Sequence, residues 1–261
     1  MKSGAVLRFF VLSLAMLIPS AARAGDVPAI AAASDLQFAL TDVAASFKTA
    51  TGREVRLAFG SSGNFFRQIG QGAPFQMFLS ADEAFVQRLA DAGLTADDGT
   101  LYAVGRIVII VPQGSPLAAD GTLDDLAAAL EDGRLKKFAI ANPEHAPYGA
   151  RAEEALRHAG LWDAIKDKLV YGENVSQAAQ FALSGNAQGG IVAWSLALAP
   201  EVSARSTYAL IPETMHKPLR QRMALLQGAG ETARRFHTFM QDEEARAIMR
   251  RYGFVLPGET M

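Results

Sequence analysis

The sequence contains no cysteine among its 261 residues. This absence excludes disulfide bridges, thiolate nucleophiles, cysteine zinc sites and iron–sulfur clusters, and it also excludes anchoring through a lipid-modified N-terminal cysteine. An excess of one charge is lacking too, because 25 basic and 27 acidic side chains leave a formal net charge of −2. Such a balance gives no electrostatic reason to bind nucleic acid or an anionic membrane. Composition therefore favours a globular protein that does not bind nucleic acid.

Histidine is also scarce, and its positions do not suggest a metal site or a hydrolase. The four histidines lie far apart, and no pair has the spacing by which a helix holds zinc. The Gly60–Gly63 turn carries two serines but does not match the nucleophile elbow of the α/β-hydrolases. Only His145 lies in a loop near the cleft that is predicted below. An exported hydrolase remains a remote alternative, and we expect no enzyme activity.

A single apolar run of ten residues stands near the N-terminus, at residues 9–18 (FFVLSLAMLI). It is about half as long as the roughly 20 residues that span a bilayer. Lys2 and Arg8 precede or flank the run, and Ala22-Arg23-Ala24 follows it as a small-x-small cleavage pattern. We therefore predict a signal peptide at residues 1–24, cleaved near Ala24. An uncleaved anchor is the alternative.

The rest of the chain alternates short apolar runs with helical periodicity, which predicts an α/β fold with mainly parallel sheets flanked by helices. Two of the apolar runs, at residues 102–111 and 222–226, suggest strands that cross between two lobes. The predicted first lobe comprises residues 25–107 and 224–261, and the second comprises residues 108–223. A cleft between two such lobes is a usual place for a ligand.

Four connections share one design, in which a strand ends, small or polar residues follow, and a helix begins. They lie at residues 31–35, 60–64, 146–149 and 173–176. Each helix start exposes backbone N–H groups and the positive end of the helix dipole, so several starts facing one cleft suit an anion. Taken singly, each of these serine and asparagine residues is better explained as an ordinary helix cap. These residues by themselves leave the choice open between an anion and another small polar ligand.

Six segments of this chain resemble the molybdate-binding proteins of ABC importers, in order and over almost all of the chain that follows the signal peptide. They are residues 31–36 (AAASDL), 59–64 (FGSSGN), 68–82 (QIGQGAPFQMFLSAD), 141–152 (ANPEHAPYGARA), 173–175 (ENV) and 251–254 (RYGF). The resemblance implies the type II periplasmic-binding fold, in which two α/β lobes close on a tetrahedral oxyanion. It also implies a periplasmic receptor that captures molybdate or tungstate without a cofactor.

The resemblance assigns oxyanion-binding roles to four residues of this sequence. Ser34 and Ser62 would donate from their hydroxyl groups, whereas Tyr148 and Val175 would donate from their backbone N–H groups. The metal would be bound as its oxyanion, so we expect no side chain to coordinate a metal ion directly.

Four further residues are expected at the edge of the pocket: Asp35, Gly63, Asn174 and Ala193. Two of them depart from the family pattern. Ala193 stands where some members place a tyrosine hydroxyl on the ligand, and Asp35 resembles an insertion that brings a carboxylate beside a dianion. Such a carboxylate is unfavourable unless it turns away from the anion.

The resemblance implies one partner, the ABC transporter permease at the inner membrane, and we expect the receptor to be a monomer. A receptor of the same fold for another oxyanion, such as sulfate or phosphate, is the closer alternative, and the missing tyrosine at Ala193 keeps it open.

Overall fold

The computed structural model describes residues 27–259. The predicted signal peptide and its cleavage site near Ala24 lie outside the described residues. Within residues 27–259, no helix is long and apolar enough to cross a membrane.

The described chain folds into ten strands and eleven α-helices. The strands are β1 (Ala29–Ala33), β2 (Arg56–Gly60), β3 (Met77–Ser80), β4 (Thr100–Gly105), β5 (Ile107–Pro112), β6 (Phe138–Ala141), β7 (Leu169–Gly172), β8 (Gly190–Ala193), β9 (Ser206–Leu210) and β10 (Leu219–Leu225). The helices are α1 (Gln37–Thr51), α2 (Ser62–Gly70), α3 (Glu83–Asp91), α4 (Asp124–Glu131), α5 (Pro147–His158), α6 (Trp162–Ile165), α7 (Val175–Leu183), α8 (Trp194–Ala197), α9 (Pro200–Ser203), α10 (Glu231–Phe239) and α11 (Glu243–Arg251). Short 3-10 turns occupy Ser34–Leu36, Lys166–Lys168 and Glu213–Met215.

The strands form two five-stranded sheets, each of which organises one lobe. The first sheet has the order β2-β1-β3-β10-β4, and we call it and the helices packed on it the first lobe. The second sheet has the order β7-β6-β8-β5-β9 and organises the second lobe. Apolar side chains fill both cores: Phe47 stacks edge-on against Phe236 in the first, and Phe138 is fully buried in the second.

Each sheet is mixed, so the predicted parallel character holds for only half of its pairings. β1 pairs in parallel with β2 and β3, and β6 pairs in parallel with β7 and β8. β10 and β5 instead run antiparallel to both of their neighbours. The chain reaches each of these two strands from the opposite lobe. Each strand therefore runs against the direction of its neighbours in the sheet.

The two connections between the lobes are less regular than the predicted crossing strands. The outward one is interrupted at Arg106, between β4 and β5. The return one runs through residues 211–218, which include the turn Glu213–Met215 instead of a strand. β10 then begins at Leu219 and pairs along its length with the first sheet. Residues 219–223 pair with the first sheet, although the predicted boundary between residues 223 and 224 placed them in the second lobe. The boundary between the lobes stays a prediction.

Candidate functional site

A small cavity lies between the two lobes, at the ends of strands from both sheets. Its free volume is about 180 Å³, including the space at its opening to solvent. All four residues that the sequence assigned to an oxyanion line it, and so does Asp35. The complete lining is Ala33, Ser34, Asp35, Gly60, Ser61, Ser62, Ala81, Ala146, Pro147, Tyr148 and Val175.

The topology explains why these residues meet. β1, β2 and β3 are parallel, and the turns after them carry Ser34, Ser62 and Ala81 to the same edge of the first sheet. β6 and β7 are parallel in the second sheet, and the turns after them lead into α5 and α7. The carboxyl ends of strands in open α/β sheets are a general location for ligands. Here two such edges face each other.

The first lobe offers two hydroxyl groups whose hydrogens are free. The Ser62 Oγ accepts a hydrogen bond from the Ala81 N–H at 2.9 Å, and the Ser34 Oγ accepts one from the Ser176 N–H at 3.3 Å. Because each oxygen already accepts, its own hydrogen is left to donate, and no acceptor for it lies among residues 27–259. Both serines are buried. An anion in the cavity would supply the missing acceptor.

The second lobe offers backbone N–H groups at two helix starts. In α7, the N–H groups of the three residues after Val175 have acceptors, namely the Ser34 Oγ, the Asn174 side chain and the Asn174 carbonyl oxygen. The N–H of Val175, the first residue of α7, has none within the described chain. Tyr148 lies in the first turn of α5 after Pro147, and its N–H is equally unpaired there. Both groups therefore remain available to a ligand.

Ser61 differs from Ser62 although both line the cavity. The Ser61 side chain caps α2 by accepting from the Asn64 N–H at 3.4 Å. It also lies 2.9 Å from the Nδ1 of His145 in the opposite lobe. The two neighbouring serines thus have different roles. Ser61 contacts the opposite lobe, whereas Ser62 keeps a free hydroxyl hydrogen.

The lobes touch closely beside this pair. The Gly63 N–H donates to the His145 carbonyl oxygen at 2.9 Å. A Cβ atom at Gly63 would lie 2.7 Å from that oxygen, closer than real Cβ contacts come, so the approach requires glycine. An ion pair of 3.6 Å between Arg151 and Asp82 also spans the cleft. Together these contacts describe a closed arrangement of the lobes.

Asp35 is a buried carboxyl held by neutral donors from both lobes. Its Oδ2 accepts from the Tyr148 hydroxyl at 3.0 Å and from the Gln221 Nε2 at 2.8 Å. Tyr102 donates in turn to the Gln221 Oε1 at 2.7 Å. Burial raises the pKa of Asp35 from 3.8 to about 6, and the hydrogen bonds from Gln221 and Tyr148 oppose that rise. With this pKa, the ionised and the protonated form of the Asp35 carboxyl are equally populated at about pH 6.

The phenol of Tyr148 is committed to Asp35, so it does not replace the tyrosine hydroxyl that is missing at Ala193. Burial and the neighbouring Asp35 charge raise the pKa of Tyr148 well above its usual value of 10. Gly105 makes room for this contact, because a Cβ there would overlap the Tyr148 hydroxyl. What Tyr148 can offer to a ligand is its backbone N–H.

The remaining residues expected at the edge of the pocket do not line the cavity. Asn174 caps α7 through its side chain, which accepts from the Gln177 N–H. Ala193 ends β8 and is fully buried, and Gly63 contacts the opposite lobe. The sequence prediction missed Gln221, which lies 186 positions from Asp35. No local pattern around Gln221 signals this contact.

Among residues 27–259, the wall of the cavity contains no cationic side chain. Its only residues that can ionise are Asp35 and Tyr148, and the rest are serine, glycine, alanine, proline and valine. Within residues 27–259, no cluster of three or more histidine, aspartate or glutamate side chains could hold a metal ion. The arrangement therefore suits an anion that is bound by neutral N–H and O–H donors at helix starts.

Comparison with known proteins relates this chain to bacterial solute-binding proteins. The profile of the bacterial extracellular solute-binding proteins matches residues 29–255. The molybdate-binding protein ModA of Rhodobacter capsulatus is 37% identical over 259 residues, which cover 98% of this chain and 96% of that protein. ModA of Azotobacter vinelandii is 34% identical over 252 residues, covering 95% and 97%.

A solved structure supports the same relationship. The periplasmic molybdate-binding protein of Azotobacter vinelandii superposes with a TM-score of 0.79 at 29% identity, covering 88% of this chain and 99% of that one. The predicted two-lobed α/β fold is thereby confirmed.

Proposed function

The chain belongs to the family of bacterial extracellular solute-binding proteins, and from this premise we propose that it is a periplasmic receptor for molybdate. The receptor captures the oxyanion between its lobes and delivers it to an ABC importer. Its family comprises receptors that bind solutes, not enzymes, so the hydrolase alternative is set aside.

The main support for this proposal is the convergence of four donor groups on one cavity. Ser34, Ser62, Tyr148 and Val175 come from four separate strand–helix turns, two in each lobe, and they converge on one cavity. Each presents a donor that has no acceptor within residues 27–259. Unpaired donors are costly in a buried site, so their convergence favours a bound acceptor that satisfies them together.

The donor set also supports selectivity for a large, fully ionised oxyanion. Molybdate has longer bonds to oxygen than sulfate has, and a sulfate in the same rigid ring of donors would not reach all of them. A protonated phosphate would bring an O–H donor to a wall whose four assigned groups are all donors, so its O–H would depend on the Asp35 carboxyl as an acceptor. Tungstate has nearly the size of molybdate, and we propose that it binds as well.

The proposal extends to the remaining features of the receptor. It acts as a monomer and is exported by the signal peptide at residues 1–24, which is cleaved near Ala24. It docks on the permease of its importer at the inner membrane. Its ligand is the oxyanion itself, and it needs no cofactor.

Titration calorimetry on the purified, ligand-free protein tests the proposal. The four ligands are molybdate, tungstate, sulfate and phosphate, each at the same pH and ionic strength. We expect one molybdate or tungstate per protein and no heat from sulfate or phosphate. At a hundredfold excess over Kd, molybdate should also stabilise the fold by about 2.7 kcal/mol, which thermal unfolding detects independently.

The other outcomes separate the alternatives. Preferential binding of sulfate or phosphate would keep the fold and overturn the ligand. Silence with all four anions, in both calorimetry and thermal unfolding, would contradict an oxyanion receptor altogether.

A further inference from the structure

The carboxyl of Asp35 poses a physical problem for the receptor proposed above. Asp35 lines the cavity and is 1% exposed, so an ionised carboxylate would stand beside a dianion with little water to screen the repulsion. Removing that charge is the simplest solution, because a carboxyl group that takes up a proton also becomes a hydrogen-bond donor.

The hydrogen bonds of Asp35 indicate where the proton would reside. Oδ2 already accepts from Tyr148 and Gln221. Oδ1 is buried and has no hydrogen-bond partner among residues 27–259. A proton on Oδ1 leaves both existing hydrogen bonds intact and turns the one unsatisfied atom of this side chain into a donor. The other four proposed contacts are donors as well, so the protonated Asp35 matches the chemistry of the wall.

We propose that the receptor takes up one proton from solvent on the Asp35 carboxyl when the oxyanion binds, and that Oδ1 then donates to the anion. This inference rests on the proposed function and extends it, because it makes affinity depend on pH through one residue. One proton binds together with each anion. The net charge added to the cavity is therefore smaller by one negative charge than the charge of the anion.

The phenols and the neutral side chains that face Asp35 do not offer a competing site for the proton. Tyr102 of β4 and Tyr148 of α5 are buried phenols, and burial raises the pKa of each well above 10, so both stay neutral at physiological pH. Gln221 of β10 and Ser195 of α8, which donates to the Asp35 carbonyl oxygen at 2.7 Å, do not titrate in this range. His145 contacts the lining residue Ser61 through its Nδ1 and has Glu173 3.5 Å from its Nε2, so a control variant below tests it separately.

The direction of the pH dependence follows from the Asp35 pKa. In the closed arrangement described above, with no anion bound, this pKa is about 6, so most Asp35 is ionised at about pH 7.5. A neighbouring dianion raises the pKa further, because a like charge disfavours the ionised form. Affinity is therefore highest below pH 6 and falls as the pH rises, by up to about tenfold per pH unit between the free and the bound pKa.

Calorimetry with molybdate in several buffers of different ionisation enthalpy measures the number of protons taken up. At about pH 7.5 we expect close to one proton per anion for the unmodified protein, and a Kd that increases between about pH 6.5 and 8.5. Asp35→Asn keeps the shape and supplies an N–H donor without titrating. Its proton number should fall close to zero, and its Kd should become nearly independent of pH.

Two control variants separate Asp35 from its surroundings. Asp82→Asn removes the same charge at the edge of the cleft, where Asp82 pairs with Arg151, and should leave the proton uptake unchanged. His145→Gln removes the imidazole that contacts Ser61 and should also leave the proton uptake unchanged. Loss of proton uptake in His145→Gln would transfer the role to His145 and overturn the proposal.

The outcomes for the unmodified protein decide the proposal even where Asp35→Asn does not fold. Molybdate binding without proton uptake overturns this inference and leaves the proposed function standing. Absence of molybdate binding contradicts the proposed function, and this inference falls with it. Uptake of about one proton that persists in a folded Asp35→Asn variant also overturns it.

Discussion

The two lobes face the same cavity with different chemistry. The first lobe contributes side chains, namely the hydroxyls of Ser34 and Ser62 and the carboxyl of Asp35. The second lobe contributes main chain, through the N–H groups of Tyr148 and Val175 at two helix starts. A side-chain donor is lost by substitution, whereas a backbone donor survives every substitution except proline. The comparison therefore predicts that the two lobes respond differently to mutation.

Ser62→Ala should have the largest effect on affinity. It removes the free hydroxyl donor and also leaves the buried Ala81 N–H without its acceptor. A hydrogen bond to a charged group contributes about 1.5–3 kcal/mol, so the Kd for molybdate should rise about 10- to 100-fold in calorimetry. Ser61→Ala is the matched control, and its cost should appear mainly as about 1 kcal/mol of stability from the lost cap of α2. Equal effects on affinity would show that the two serines are assigned wrongly.

Val175→Pro should weaken binding about tenfold, whereas Val175→Ala should change it little. Proline removes the N–H and replaces the side chain but should keep the helix start, since Val175 is the first residue of α7 and proline is well tolerated at that position. Asn174 before it is extended, at φ −156° and ψ 172°, as a residue preceding proline should be. Alanine keeps the N–H and removes only apolar atoms. Comparable losses in the two variants, measured by calorimetry on folded protein, would indicate that the Val175 side chain is what matters.

Gly63→Ala should impair closure of the lobes and raise the Kd several-fold, up to about tenfold. The added Cβ meets the His145 carbonyl oxygen only when the lobes are closed, so the free energy of unfolding should hardly fall. Gly70→Ala, at the end of the same helix with open space around it, is the matched control. Small-angle scattering with and without molybdate measures the closure. Full compaction of Gly63→Ala by molybdate would contradict a close approach at this point.

Tyr148→Phe should have the smallest effect, less than about threefold on Kd. It removes the phenol that donates to Asp35 but keeps the backbone N–H that faces the cavity. Loss of that donor also raises the pKa of Asp35, because the hydrogen bond from Tyr148 lowers it. The calorimetric Kd tests this, and a loss as large as that of Ser62→Ala would mean that the phenol binds the anion.

Most of the features that depend only on neighbouring residues could be predicted from the sequence. The strand–helix turns, the small residues within them and the two serines are each encoded in a few neighbouring residues. Ser34, Ser62, Tyr148 and Val175 are consequently found where the motifs suggested, although their binding roles remain predictions.

Features that depend on distant pairing were not predictable in the same way. Asp35 was expected beside the pocket, but its hydrogen bond to Gln221 joins residues 186 positions apart. The apolar pattern of residues 102–111 also hides the break at Arg106, because hydrophobicity alone does not show where one strand leaves its sheet and the next begins. The antiparallel direction of β5 and β10 likewise follows from the path of the chain between lobes, and no local periodicity reports it.

A crystal structure of the complex with molybdate, with the molybdenum located by its anomalous scattering, is the sharpest test of oxyanion binding by neutral donors from both lobes. We predict one molybdenum peak in the cavity between the lobes. Its oxygens should lie about 2.7–3.2 Å from the hydroxyls of Ser34 and Ser62 and from the backbone nitrogens of Tyr148 and Val175. A peak elsewhere, or oxygens held by lysine or arginine side chains instead of these neutral donors, would contradict this mode of binding.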